Sequence, residues 1–313
     1  DLMHGIYNYE DKNVWTFVRV ENDHTIVGYR QTNGWARTRT VYFAMEFSKP
    51  FASYGFKDFG KQDYRGFWRK FDQSKNFPEA AGKQIRANFD FKTTANEKIK
   101  IKFALSPVST NGAVSNLRSE IPHWDFERVK REAQGAWNKE LSKIAVTTID
   151  QGEMTNFYTA MYHALLTPTV YMDTDGQYKG LDQNVHKAAA GTTNYTTFSL
   201  WDTYRALHPL LNLIQPSRNR DMVRSMQAHY DQSVHKMLPV WSHYANENWC
   251  MIGYHSVSVI ADAIVTGNLT GPEAIKALEA SAQTARTKYY DGLEFYMQLG
   301  YVPEDKNGSS VSK

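Results

Sequence analysis

The sequence predicts an antiparallel β-sandwich, a linking helix and then a domain of helices. Three observations lead to this fold class. Apolar residues alternate with polar ones up to about residue 115, they recur at helical spacing after Pro122, and the later helical stretches are of similar length. We expect part of a sandwich over 1–120, a helical linker over 121–148, and the first part of a ring of helical hairpins over 149–313.

Strands with one solvated face predict the sandwich. The segments "VWTFVRV", "TVYFAMEF", "QIRANFDF" and "EKIKIKFALS" each alternate every second residue. In the last of them, Ile99, Ile101 and Phe103 fall on one face and three lysines on the other, so we expect the apolar face to be buried. The "NG" at 111–112 predicts a turn that follows this strand.

Helical spacing begins in "DFERVKREAQGAWNKELSKI", where Asp125 is placed to cap the linker helix. Ser217 and Pro272 stand where later helices tend to begin. The second half is predicted to be all-helical, like the stacked hairpins of an α/α toroid. The expected helices span 152–166, 203–214, 217–236, 254–266 and 272–289.

Composition excludes several classes of function. The net charge is +3, and the basic residues are spread along the chain, which argues against a nucleic acid or an anionic membrane as partner. No apolar run approaches the roughly 20 residues of a spanning helix, and the start "DLMHGIYNYED" does not resemble a signal peptide. One cysteine rules out an internal disulfide and a thiolate metal cage. Aromatic residues make up 14% of the chain, a composition that suits sugar binding as well as core packing.

Metal and nucleotide motifs are weak or absent from the sequence. The segment "YMDTDGQYKGLDQNVH" places Asp173, Asp175 and Asp182 together but lacks the closing Glu of a calcium loop, so turns with side-chain hydrogen bonds are the better interpretation. Neither HExxH, GxSxG, a Walker motif nor GxGxxG occurs, which argues against zinc, serine hydrolase and nucleotide chemistry.

Two segments combine aromatic residues with a carboxylate just before a predicted helix. In "FSLWDTYRALHPLL", Asp202 follows Trp201, and it is either a helix cap that pairs with Arg205 or part of a site. In "SHYANENWCMIGYH", Glu247 lies several residues before the expected helix, and Glu is a poor N-cap. A site is therefore the stronger interpretation for Glu247.

An acid surrounded by aromatic rings suits glycoside hydrolysis. Exclusion of water raises the pKa of a carboxyl group, so Glu247 would keep a proton for the leaving group at neutral pH. Such reactions need a second carboxylate, about 6.5–9.5 Å away for inversion and about 5–5.5 Å away for retention. The residues alone point to a sugar-handling enzyme.

The same two segments make the chain similar to glycoside hydrolase family 92, the calcium-dependent exo-acting α-mannosidases common in gut Bacteroides. Further stretches with this similarity are "VGYRQTNGWA", "YFAMEFSKPF", "TNFYTAMYHALLTPTVYMDTDGQYKG" and "GYVPEDKNGSSVSK". The resemblance implies a β-sandwich, a helical linker and part of an (α/α)6 barrel. It also implies inverting hydrolysis of terminal α-mannosides, most often α-1,2-linked, in a periplasmic, cell-surface or secreted protein.

The resemblance also assigns roles to residues. Glu247 matches the general acid, and Trp201 and Asp202 match residues that bind the terminal mannose. Tyr254 and His255 belong to the same motif as the acid, and we expect them in the substrate site, where they support the acid. The general base and the Ca²⁺ ligands are expected beyond residue 313, in the remainder of the same polypeptide, so these 313 residues alone should be inactive. Two alternatives stay open: a non-catalytic mannose- or glycan-binding protein of the same fold, and an (α/α)6 glycoside phosphorylase.

Overall fold

The computed structural model describes residues 1–2, 12–60, 77–288 and 292–306. The end of the helix expected to reach residue 289, and the last seven residues of "GYVPEDKNGSSVSK", lie outside that part of the chain. The chain divides into two compact units. The first comprises Asp1–Val129 with Asp173–Gln177, and the second comprises Lys130–Met172 with Tyr178–Lys313.

The first unit is built on antiparallel strands, as the alternation predicts. Its strands are β1 (Asn13–Val20), β2 (Thr25–Thr32), β3 (Arg39–Phe47), β4 (Ser53–Asp58), β5 (Glu79–Gly82), β6 (Ile85–Asp90) and β7 (Ile101–Ser106). Five of them form one sheet in the order β5-β1-β2-β3-β7, and β4 pairs with β6 in a second, two-stranded sheet. The early strands followed by helices confirm the predicted fold class.

Aromatic packing fills the core of this unit. Phe47 and Phe51 meet edge to face with ring centroids 6.1 Å apart, and Phe89 lies against both rings. Val18 and Ile85 close the same cluster and are almost fully buried. Burying each such side chain contributes about 1.5–3 kcal/mol, so this cluster stabilises the packing of side chains from the two sheets against each other.

The turn predicted at 111–112 is wrong, because these residues lie inside helix α1 (Thr110–Glu120). Ser109 caps the helix, and its side chain accepts a hydrogen bond from the N–H of Gly112. Ser is a favoured N-cap residue, and this signal at Ser109 competes with the turn signal of Asn-Gly. Ala113 and Leu117 of α1 pack on Ala104 of β7.

The buried and exposed faces of β7 are the reverse of those predicted from the sequence. Ile101 and Phe103 are exposed, whereas Lys102 is only 8% exposed. The physical reason is that α1 covers the face with the small Ala104, which leaves room for the stem of Lys102. The Lys102 ammonium lies 4.1 Å from the centre of the Trp124 ring, a cation–π contact that offsets its loss of water.

Helices dominate the second unit. Helix α2 (Phe126–Leu141) begins where the sequence predicts, and the side chain of Asp125 accepts from the N–H of Arg128 at 3.0 Å. The ring of Trp137 in α2 meets Tyr162 at 4.5 Å. The following helices are α3 (Gln151–Ala164), α4 (Leu200–Thr203), α5 (Leu207–Ile214), α6 (Pro216–Gln232), α7 (Ser256–Val265), α8 (Gly271–Thr284) and α9 (Leu293–Leu299).

Two helix boundaries in the second unit differ from the prediction. The expected helix 203–214 is divided into α4 and α5, because Pro209 has no N–H and its ring would clash with the carbonyl four residues earlier in a continuous helix. Pro is tolerated in the first turn of α5, where no N–H is needed. Helix α6 begins at Pro216 after the cap residue Gln215, so Ser217 is not the cap.

The second half is not all-helical, which corrects the prediction. Short antiparallel pairs of strands lie between the helices. A strand of two residues is too short to show an alternation of apolar and polar residues, so the sequence does not predict it. They are β8 (Thr169–Val170) with β11 (Tyr195–Thr196), β9 (Gln177–Lys179) with β10 (Val185–Lys187), and β12 (Phe198–Ser199) with β13 (Trp241–Ser242).

The core of the second unit lies between α5, α6, α7 and α8. Leu200, Leu211, Met226, Val259 and Ile260 are almost completely buried in it. Because Leu200 is the first residue of α4, the core fixes the helix that follows β12. In the part of the chain that the structure describes, no helix has the length and apolar character needed to cross a bilayer.

Candidate functional site

The pairing of β12 with β13 joins the two segments that the sequence singles out. Phe198 lies opposite Ser242, and Ser199 lies opposite Trp241. Strand β12 leads directly into α4 with Trp201 and Asp202. Strand β13 belongs to the segment 240–250, which we name the Glu247 loop. Segments about 45 residues apart in sequence therefore meet in one place.

Trp201 and Asp202 occupy the first turn of α4 and face outward. The Trp201 side chain is 41% exposed, and Asp202 is exposed as well. The hydroxyl of Ser199 donates a hydrogen bond to Asp202 Oδ2. No ion pair joins Asp202 to Arg205 among the described residues, so that expectation is wrong.

Arg205 instead takes part in a layered arrangement with two rings. Its guanidinium carbon lies 5.2 Å from the centre of the Tyr204 ring, and the His255 ring stacks on Tyr204 at 4.3 Å with an angle of 5° between planes. Burial and the positive charge of Arg205 lower the pKa of His255. The Nε2 atom of His255 is buried and has no hydrogen-bond partner in the described part of the chain. Tyr254 lies next to it, and its carbonyl accepts from the N–H of Val257 at the start of α7.

Cys250 completes the exposed end of the Glu247 loop. Burial raises the pKa of its thiol, and the negative charge of Asp202 raises it further. The side chain is partly exposed and makes no disulfide.

Glu247 lies inside its loop, with its side chain almost wholly buried. Oε1 accepts hydrogen bonds from the backbone N–H of Trp241 at 2.8 Å and of Trp249 at 3.0 Å. Oε2 accepts from the N–H of Val240 at 2.9 Å. Both carboxylate oxygens are therefore occupied by backbone donors on the two sides of the loop.

Opposing effects act on the ionisation of Glu247. Burial raises the pKa of the carboxyl group, and the N–H donors of Trp249, Trp241 and Val240 oppose this, with a raised pKa as the outcome. His229 lies 3.6 Å away, from its Nε2 to Glu247 Oε2, a distance too long for a hydrogen bond. Complete burial lowers the pKa of His229 to about 3, so the imidazole is neutral at physiological pH.

A buried polar network supports the helices behind α4. His208 Nδ1 lies 2.7 Å from Asn219 Oδ1, and Asn219 donates to Asn212 Oδ1 at 2.7 Å. Asn212 in turn donates to Asp262 of α7 and accepts from Asn268 after it. The network connects α5, α6 and α7, and burial lowers the pKa of His208, which keeps that side chain neutral. Sequence patterns alone cannot reveal these pairs, because their partners come from different helices.

The aspartates at 175 and 182 form turns with side-chain hydrogen bonds, as the preferred interpretation of the calcium-like segment expects. Asp175 accepts from the N–H of Gln177, and Asp182 accepts from the N–H of Asn184 and binds His186 at 2.9 Å. Among the described residues, no group of three His, Cys, Asp or Glu side chains is arranged to hold a metal ion. The Ca²⁺ implied by the resemblance therefore finds no suitable ligand set here.

A cleft of about 220 Å³ lies elsewhere in the second unit, between the segment 164–170 and α6. Tyr195, Leu211, Arg218 and Met222 contribute to its lining, and the predicted site residues do not.

Comparisons with known proteins assign the chain to a class. Residues 112–313 match the catalytic domain of glycosyl hydrolase family 92, and residues 1–106 match the N-terminal domain of that family. The chain is thus part of a glycoside hydrolase. It belongs to glycosyl hydrolase family 92.

Two enzymes of Bacteroides thetaiotaomicron with solved structures are similar to this chain. A family 92 α-mannosidase is 46% identical over 94% of this chain with a TM-score of 0.85, and its structure in complex with mannoimidazole matches equally well. A family 92 inverting mannosidase is 29% identical over 93% of the chain, with a TM-score of 0.81. The chain spans 39% of the length of either enzyme.

A fungal protein shows a shorter similarity. An uncharacterized secreted glycosidase of Arthroderma benhamiae is 26% identical over 87 residues, which cover 26% of this chain and 11% of that protein.

Proposed function

We propose that the intact protein hydrolyses the terminal α-linked mannose of a mannose-containing oligosaccharide or glycan. The observation that supports this most is the pairing of β12 with β13, which brings Asp202 and Trp201 beside the Glu247 loop. An exposed carboxylate next to an exposed indole suits a sugar, because hydroxyl groups need charged acceptors and C–H faces need flat apolar surfaces. The names of the α-mannosidases with the same fold agree with this substrate.

The finer features of the reaction are part of the proposal. We expect inversion at the anomeric carbon, as in the relative described as an inverting mannosidase, and a preference for α-1,2 links. We also expect a periplasmic, cell-surface or secreted protein, in agreement with the secreted fungal relative. Tyr254 and His255 would support the pocket, since His255 stacks on Tyr204 beside Asp202.

Glu247 as general acid stays a prediction. Its burial supports this role, since a raised pKa keeps a proton available near neutral pH. The role also has a requirement: an oxygen of the protonated carboxyl group must face the glycosidic oxygen while Glu247 keeps its backbone N–H partners. Oε2 accepts one such bond, which leaves it a second lone-pair site.

The implied calcium enters no step of this mechanism. The described residues offer no ligand set for it, and a Ca²⁺ site would have to come from the remainder of the polypeptide. Asp202 and Trp201 would bind the terminal mannose in either case, because both are exposed on α4.

Hydrolysis of α-1,2-mannobiose by the intact protein tests the proposal. We expect release of mannose without phosphate, and loss of activity on chelation that added calcium restores. A strict need for phosphate would instead identify a glycoside phosphorylase. Mannose binding without cleavage would identify a non-catalytic glycan-binding protein of the same fold.

A further inference from the structure

The hairpin formed by β9 and β10 contacts the Glu247 loop. Gln183 lies in the tip between these two strands, and its Nε2 donates a hydrogen bond to the carbonyl of Ala245 at 2.7 Å. The two residues are 62 positions apart in sequence. The tip belongs to the calcium-like segment of the sequence, which takes no part in the proposed reaction. The contact therefore gives this segment a connection to the candidate site.

Bonds to α6 and within the tip hold the hairpin in a defined shape. The N–H of Leu181 donates to Gln232 Oε1 of α6 at 3.2 Å, and the N–H of Gln183 donates to the carbonyl of Gly180 at 2.9 Å. A Cβ on Gly180 would lie 2.5 Å from the His186 ring and 2.7 Å from Gln232 Oε1, so no larger residue fits there. The tip is thus packed against α6, and this packing fixes the backbone that carries Gln183.

The part of the Glu247 loop that Gln183 contacts has an unfavourable backbone conformation. Three residues of the loop have φ values of 48°, 58° and 56°, in the left-handed region: Tyr244, Ala245 and Trp249. Residues with a side chain adopt this region only where other contacts hold them. For Tyr244 these contacts are a bond from its N–H to Thr196 Oγ1 at 2.9 Å and the ring of Tyr171 at 5.7 Å. For Ala245 the contact is the bond from Gln183.

Ala245 lies in a tight turn that ends directly before Glu247. The N–H of His243 donates to the carbonyl of Asn246 at 2.8 Å, which closes the turn 243–246, and Glu247 then pairs with Ser242. Because the turn is closed on itself, a shift of Ala245 also moves the backbone of Glu247. A displacement of about 1 Å in a catalytic group can lower the rate by about 100-fold, so the position of this turn matters for proton transfer.

We propose that Gln183 is a positioning residue, which holds the turn 243–246 and thereby places the carboxyl group of Glu247 towards the glycosidic oxygen. This inference rests on the proposed function, in which Glu247 is the general acid. The effect of Gln183 passes through the carbonyl of Ala245. Because Gln183 is exposed, substitutions there leave the core of the second unit unchanged.

Two substitutions of Gln183 in the intact protein test the role of its N–H donor. Gln183→Glu keeps the size of the side chain but directs an acceptor at the Ala245 carbonyl, whereas Gln183→Lys keeps a donor. On α-1,2-mannobiose, whose leaving group needs a proton, Gln183→Glu should lower kcat by about tenfold and change KM by less than about twofold. Gln183→Lys should retain more than about half of the wild-type kcat.

A second substrate and a matched control separate positioning of the acid from other effects. On α-mannosyl fluoride, whose leaving group needs no proton, both Gln183 variants should match wild type within about twofold. Gln151→Glu, at an exposed position on the first turn of α3, should change neither activity. An unchanged kcat of Gln183→Glu on mannobiose would overturn the proposal, and so would equal losses on both substrates or equal losses in Gln183→Lys and Gln183→Glu.

Hydrogen exchange provides a readout that does not need activity. In Gln183→Glu, the N–H groups of residues 243–246 should exchange at least about threefold faster than in wild type, and those of α8 should keep their wild-type rates. Unchanged exchange in the turn would overturn the proposal, and faster exchange in α8 as well would show a general effect on stability and overturn it too. If wild type cleaves neither substrate, the proposed function fails, and the exchange rates still decide whether Gln183 holds the turn.

Discussion

His229 Nε2 lies 3.6 Å from Glu247 Oε2 in the interior of the second unit, where the two side chains are 9% and 5% exposed. The imidazole is neutral there because burial lowers its pKa to about 3. An unfolded chain would bind a proton at the same side chain near pH 6.5. Folding therefore releases a proton in the pH range between these two values.

The stability of the second unit should depend on pH through His229. The lowered folded pKa gives stability that is present above about pH 6.5 and is lost, at about 1.4 kcal/mol per pH unit, as the pH falls towards 3. Urea unfolding of wild type and His229→Gln between pH 7 and 4 measures this, and the variant should show the smaller loss. His163→Gln, at an exposed position on α3, is the control. Equal slopes in wild type and His229→Gln would contradict the prediction.

Asp202→Asn should weaken hydrolysis without unfolding the protein. The amide keeps an oxygen for the Ser199 hydroxyl but removes the charge that would bind a sugar hydroxyl. A hydrogen bond to a charged group contributes about 1.5–3 kcal/mol, so kcat/KM should fall by about 10- to 100-fold. Asp231→Asn, which removes an exposed partner of Lys276 on α6, should leave kcat/KM unchanged. A normal rate for Asp202→Asn would remove this residue from the site.

Trp201→Ala should act mainly on substrate binding. The indole is exposed on the first turn of α4, so its loss removes a flat apolar surface and leaves the core intact. We expect KM to rise by about tenfold with little change in kcat, in proportion to about 1.4 kcal/mol of stacking energy. Trp201→Phe keeps an aromatic face and should lie between the two. Equal KM values for all three proteins would show that the indole does not touch the sugar.

Gly112→Ala should destabilise the first unit through Asp173. A Cβ at residue 112 would lie 2.2 Å from Asp173 Oδ2 and 2.6 Å from Ser106 Oγ, which is too close for any real contact. Asp173 is buried and accepts from Ser106 and Asn116 at 2.8 Å, so it cannot move without losing these bonds. In a double-mutant cycle, Gly112→Ala should cost about 1 kcal/mol less in an Asp173→Ala background, as measured by urea unfolding. Strict additivity would show that the two positions are not in contact.

The sequence predicts the order of strands and helices well because most elements are long enough to show their period. Helix α2 is an example, since Asp125 and the spacing of the following apolar residues give its start correctly. The periodicity of apolar residues does not predict the structure correctly where contacts between distant segments determine which face of an element is buried. The orientation of β7 depends on α1, which the Asn-Gly signal conceals, and β12 and β13 have two residues each.

The candidate site is only partly visible in the sequence. Its motifs identify Trp201, Asp202 and Glu247, but the layered contact of Tyr204 with His255 and the role of Ser199 depend on pairing between distant segments. The sequence also places Glu247 among aromatic residues, which suggests a carboxyl group surrounded by rings rather than by hydrogen-bond donors. The N–H groups that donate to Glu247 belong to the backbone of its own loop. Backbone hydrogen bonds of this kind cannot be predicted from the pattern of residue types.

The left-handed residues of the Glu247 loop limit which sequences can evolve there. At positions 244, 245 and 249, glycine and asparagine are compatible with the backbone, whereas valine and isoleucine are disfavoured by their branched Cβ. A saturation library across these positions should therefore be depleted of β-branched residues even where volume and polarity would suit. Substitutions are therefore better tolerated in the exposed first turn of α4 than in this loop.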